Sequence, residues 1–188
     1  MRIHRPFPSA YVASDAADVA TAGYPVLYVP GDSPVGRDGP AVLIEPHAAE
    51  PFIAVFASAD GNTLYAATCP DPDLFLCVAF GCAYVIDVHT RSFGEVPVCP
   101  VTDVRAVPES RAVVFTDYTK IVCLLEGRRL VVSERISRDG IEITEIADGF
   151  VYGTASPPPV GTGAAFRLEI ATGRHTGGDD NLGPFLDS

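Results

Sequence analysis

Lysine is almost missing from this chain. Lys120 is the single one, and the other twelve basic residues are arginines, set against 24 aspartates and glutamates. The resulting charge of −11 repels phosphate backbones and anionic lipid, which excludes nucleic acid and membrane surfaces as partners. It favours a basic protein partner instead. Long apolar runs are absent too. Nothing approaches transmembrane length, and "MRIHRPFPSAYVASDAADVATAGY" has no continuous apolar stretch of signal-peptide length. The five cysteines (Cys69, Cys77, Cys82, Cys99 and Cys123) form no C-x-x-C pair. An odd number without a leader reads as reduced thiols in a cytoplasmic protein, with no structural zinc.

The 188 residues are enough for one domain with a real core, and hydrophobic residues make up 47% of them. Strand signals dominate. "YPVLYVP", "AVLIEP", "PFIAVFA", "NTLYAAT", "LFLCVAF", "AYVIDV", "RAVVFTD", "KIVCLLE", "RLVVSER", "IEITEIA" and "FVYGTA" are short, rich in β-branched and aromatic residues, and punctuated by Gly, Pro, Asp or Asn. Seventeen prolines and seventeen glycines leave little room for helices. "SDAADVATAG", Ser14 to Gly23, is the one helical candidate, with Ser14 or Asp15 as its cap.

Strands recur with a period. Strand-ending acids fall at Glu45, Asp87, Glu126 and Glu169, and turns at Gly23, Asp60-Gly61, Pro108-Glu109-Ser110 and Asp148-Gly149 precede β-rich segments. Both landmarks repeat at roughly 40 residues, the range of propeller blades and similar arrays. The unit reads as an antiparallel four-stranded meander, so the expected fold is all-β. The alternative architecture is a sandwich or barrel. One domain is expected, with an irregular N-terminal cap over residues 1–50. Repeats follow over 51–100, 101–138 and 139–178, with a tail over 179–188.

The pairs "ASADGNTLYAA" with "YVIDVHTRS", and "IADGFVYGTA" with "FRLEIATGR", resemble the blade repeats of bacterial β-propellers. That resemblance covers residues 50 to 178 and implies a small, partial or open ring of sheets. The third unit departs from it, with Glu126-Gly127-Arg128 where the polar corner belongs. The resemblance implies architecture and assigns no chemistry.

Candidate chemistry is sparse. "VPGDSPVGRDG" places Ser33 in a string that resembles the nucleophile block of GDSL-type hydrolases. The partner Asp-x-x-His of that family is missing, however, because Asp87-Val88-His89 is one residue too short. Gly, Asp, Ser and Pro together read as a turn. His47, His89 and His175 occupy matching repeat positions and are the metal-ligand candidates, but outer corners diverge, so exposed turns are expected and no metal or cofactor. Asp71 and Asp73 form a carboxylate pair, as do Asp179 and Asp180; Pro and Gly around both point to solvated loops. Cys69 and Cys77 read as buried thiols. "SPPPVGTGAA", Ser156 to Ala165, reads as a partner-facing loop.

Function is therefore expected to be non-enzymatic protein recognition by a small acidic β-repeat protein, with a homo-oligomer as a further option. An immunity or toxin-neutralising role is of that type. The alternative is a hydrolase or lyase on a propeller-like scaffold. The Arg-, Ala- and Pro-rich composition points to a bacterial source.

Overall fold

In the computed structural model the described residues are 2–16, 23–31, 39–57, 63–156 and 163–179. The chain folds as two compact units, Met1–Cys99 and Pro100–Ser188. Each contains two four-stranded sheets. The first sheet comprises β1 (Tyr11–Asp15), β2 (Val26–Val29), β3 (Ala41–Pro46) and β4 (Phe52–Phe56), in the order β1-β3-β4-β2. The second is the meander β5 (Thr63–Thr68), β6 (Leu74–Ala79), β7 (Cys82–Asp87) and β8 (Phe93–Glu95). In the second unit β9 (Asp103–Val107), β10 (Ala112–Thr116), β11 (Ile121–Leu125) and β12 (Arg129–Val132) form one meander. The other is β13 (Ile141–Ala147), β14 (Phe150–Ala155), β15 (Ala164–Glu169) and β16 (His175–Gly177). The all-β expectation of four-stranded sheets holds, three of them antiparallel meanders, and no sheet closes on itself among the described residues.

Burial explains why "LFLCVA", "AVVFT" and "IVCLL" are continuous apolar runs. β6, β10 and β11 lie in the middle of their sheets and are buried along their whole length. Such strands have both faces covered, so they do not alternate. The outer strands β8 and β12 are mostly exposed. In the first unit Tyr11, Ile44, Phe52 and Phe56 of one sheet pack on Phe75, Cys77 and Ile86 of the other. Phe75 is the hub, 6.3 Å from the Phe56 ring and edge-on to Tyr11 at 6.2 Å. In the second unit Val114, Cys123 and Leu125 meet Val151, Phe166 and Leu168. Gly153 faces Phe166 across the β14–β15 ladder. A Cβ there would lie 2.6 Å from the Phe166 ring, so the absence of a side chain is what lets the ring lie flat.

Four expectations need correction. Ser14 and Asp15 do not cap a helix; they pair with Leu43 and Val42 in the β1–β3 ladder. A roughly 10-residue helix has little stability alone, and a five-residue ladder burying Tyr11 and Ala13 outweighs it. Residues 17–22 lie outside the described residues. The first sheet is not a meander, because β2 runs parallel to β4 on its edge. Third, the acid landmarks are not all equivalent. Asp87 and Glu169 occupy the same ladder position as Leu125, opposite Leu74, Phe150 and Ala112 respectively. Glu126 is thus one residue late, and Glu45 lies inside β3 opposite Val12.

The fourth concerns cysteine. Cys82 and Cys99 form a disulfide, with Cα atoms 4.9 Å apart, while Cys69, Cys77 and Cys123 are free and buried. The odd count misled because the partners are 17 residues apart in sequence and are brought together only by the β7–β8 hairpin. Cysteine content therefore gives no support to a reducing compartment. Among the described residues no helix is long and apolar enough to cross a membrane.

Candidate functional site

The corner after β7 is built by its own residues. Asp87 Oδ1 accepts hydrogen bonds from the backbone N–H of His89 at 3.0 Å and of Thr90 at 2.8 Å. The Arg91 N–H returns to the Asp87 carbonyl at 2.9 Å, and Val88 N–H reaches Asp73 O across the sheet. The corner after β15 repeats these bonds: Gly173 N–H to Glu169 O at 2.8 Å, and Ile170 N–H to Gly149 O. Arg91, at φ 57°, stands where the other corner has Gly173. Its guanidinium lies 5.5 Å from the Phe52 ring centroid and 3.7 Å from Glu50. Those contacts hold an arginine in a conformation that favours glycine. Asp87→Ala should lower stability by about 1–3 kcal/mol, since a buried carboxylate acceptor for two N–H groups is lost. Urea titration measures this; an unchanged midpoint would show the corner to be self-supporting.

The structure brings two of the candidate residues together. His89 Nε2 lies 3.0 Å from Asp73 Oδ1, and both side chains are about one-third exposed. Asp71 Oδ1 accepts from the Asp73 N–H at 3.1 Å, which turns the chain into β6. A carboxylate that orients an imidazole is half of a proton-relay arrangement. The hydroxyls nearest in sequence are engaged with each other, Thr90 Oγ1 to Ser92 Oγ at 2.8 Å. Ser33 and Asp180 lie outside the described residues. His47 is exposed in the β3–β4 turn, where its N–H donates to Ala10 O. His175 is half-buried on β16, beside a cleft of about 490 Å³ that also takes in Glu134, Thr172 and Arg174. Asp179 is not on a solvated loop: its side chain is 5% exposed, with Oδ2 3.3 Å from Arg138 Nε. Among the described residues no three of His, Cys, Asp and Glu gather as a metal would require. Burial raises the Cys69 and Cys77 thiols and pushes that of Cys123 up to about 12, which leaves them protonated and unreactive.

A second cleft, of about 500 Å³, opens between the strand ends of the two sheets of the second unit. Leu125, Arg129 and Ile170 line it with Arg111 and Glu126, whose side chains pair at 2.6 Å. Arg129 Nη1 donates to Ala171 O at 3.0 Å, which ties the β15–β16 corner to β12. The charges there are largely matched within the protein.

Sequence reasoning passed over the turns between the second and third strands of the meanders. β6 and β7 join through Phe80-Gly81, both with positive φ (52° and 78°), the two-residue turn that matches strand twist. Phe80 is 66% exposed, and few bulky residues adopt that conformation. The connection at the corresponding place in the third sheet, between β10 and β11, is a different turn without positive φ, and it holds Tyr118, 50% exposed. Asp117 Oδ1 braces it by accepting from Thr119 N at 2.6 Å and Lys120 N at 2.8 Å. In the fourth sheet the corresponding connection, between β14 and β15, contains the "SPPPVGT" segment, of which residues 157–162 lie outside the described residues. The signal was present in the sequence as an aromatic inside a turn ("AFGCA", "TDYTK"), where polar residues are usual.

The sequence matches no family model and no curated protein. A solved structure of a streptogramin B lyase superposes with a TM-score of 0.41 and 9% identity, over 89% of this chain and 58% of that one. The chain thus spans less than two thirds of that protein's length.

Proposed function

We propose that this is a protein-recognition module that presents aromatic side chains on the turns between its second and third strands. Phe80 carries the reading. An L-residue in the left-handed region costs about 1–2 kcal/mol, and glycine would remove that cost. A phenyl ring held outward at such a position supports contact with something outside the chain. Tyr118, half-exposed on the corresponding connection of the third sheet, adds a second outward aromatic. The net charge of −11 selects a basic protein as the partner class, which includes basic toxins neutralised by an acidic immunity protein.

The test places a photo-crosslinking side chain at position 80, at 118, or at the exposed Glu145 of β13 as control. Positions 80 and 118, one in each unit, should each capture a basic protein from the source cell, and position 145 should not. Phe80→Gly should weaken that capture about tenfold or more while raising stability by about 1 kcal/mol. Equal capture from all three positions would overturn the reading.

The alternative, a hydrolase or lyase, is favoured by the Asp73–His89 contact. It requires a substrate whose turnover is lost in His89→Ala and kept in Phe80→Gly.

A further inference from the structure

We infer that the Cys82–Cys99 disulfide is a redox latch on the Phe80 hairpin, an inference that builds on the recognition reading of Phe80. Cys82 directly follows the Phe80-Gly81 turn and opens β7, whereas Cys99 ends the first unit. Between them runs the segment that completes the sheet. Its strand β8 has three residues, all exposed, and meets β7 in three pairs only. Val96 and Val98 then turn inward and are buried, with Val96 N–H donating to Ala83 O at 2.9 Å. Three ladder pairs hold β8 weakly, and the covalent link adds to what keeps these valines seated beside the hairpin. Cys99 is exposed and Cys82 half-exposed, so the bond is open to reagents. The three other thiols are buried and cannot exchange with it.

A dithiol reductant completes the switch. Its thiolate attacks Cys99 Sγ; the protein S–S bond breaks, and Cys82 leaves as a thiolate and takes up a proton. The second thiol of the reductant then attacks the mixed disulfide, which frees Cys99 and leaves the reductant as a disulfide. The protein gains two electrons and two protons, and the reductant loses both. With the latch open, β8 and Val96–Val98 detach. The outer edge of β7 is uncovered, and the Phe80 turn loses its brace.

The experiment uses the intact protein, untreated or treated with dithiothreitol. Alkylation before reduction should label neither Cys82 nor Cys99; after mild reduction it should label both, and Cys69, Cys77 and Cys123 only after unfolding. Hydrogen exchange should then rise about tenfold or more over Phe93–Val98 on reduction and stay unchanged over Ile121–Leu125. The Cys82→Ser/Cys99→Ser double variant should match the reduced protein, and reduced wild type serves alone if that variant fails to fold. Free Cys82 and Cys99 after exposure to oxidised glutathione, or unchanged exchange on reduction, would overturn the latch. Crosslinking from position 80 separates the two ideas. Absence of capture by the oxidised protein sinks the recognition reading, whereas the exchange result judges the latch by itself.

Discussion

A chain that begins at Tyr11 should melt well below the intact protein and should aggregate. Residues 2–10 lie along the open edge of β5. The His4 N–H donates to Ala66 O at 2.8 Å, and Thr68 N–H returns to His4 O at 3.1 Å. The His4 ring stacks on Tyr65 at 5.0 Å, and Phe7 is buried. Thr68 fixes the end of this seam: its hydroxyl donates to Phe7 O and accepts from Phe7 N–H. Burial of one phenylalanine stabilises by about 1.5–3 kcal/mol and each hydrogen bond by about 1. The truncation should therefore cost about 3–5 kcal/mol. It should also leave Ala66 and Thr68 as an unpaired edge open to a second copy. Light scattering and thermal melting decide this. A monodisperse truncated protein that melts with its parent would show the segment to be dispensable.

The protein should lose stability steeply in mild alkali. Burial raises the Cys69, Cys77 and Cys123 thiols above the ordinary value of 9.0, that of Cys123 to about 12. Below pH 9 both folded and unfolded chains hold these protons, and stability is undiminished. Above it the unfolded chain releases them and the folded chain does not, so unfolding gains up to about 1.4 kcal/mol per thiol per pH unit. The loss continues until the folded thiols ionise, near pH 12 for Cys123. Cys82 and Cys99 contribute nothing while bonded. Urea unfolding at pH 8, 9 and 10, under argon, should show the fall beginning near pH 9. Cys123→Ala should flatten it by about a third while lowering stability at pH 8. Stability that is level from pH 8 to 10 would show that burial does not hold these thiols protonated in the folded chain.

The sequence alone determined the class of strand and the four-stranded unit. Continuous runs such as "LFLCVA" can only be strands with both faces covered, and Gly, Pro and Asp between them can only be turns, because both facts follow from local sterics and apolar burial. The Asp87 corner has the same local origin: a short side chain accepts from N–H groups two and three residues ahead. Tertiary structure decided everything that needed two distant segments. Ser14 and Asp15 joined a strand because β3 offered a ladder. β2 lies parallel to β4, and no local pattern marks such a pairing. Cys82 found Cys99 only after the β7–β8 hairpin had formed, and Asp73 found His89 only across the β6–β7 ladder. Asp179, which the flanking glycines marked as solvated, is enclosed beside Arg138 because its backbone N–H binds Ile136 O at 2.9 Å. Phe80 makes the same point from the other side. The "AFGCA" string reads equally as core or as turn, and the left-handed turn between β6 and β7 puts the Phe80 ring into solvent.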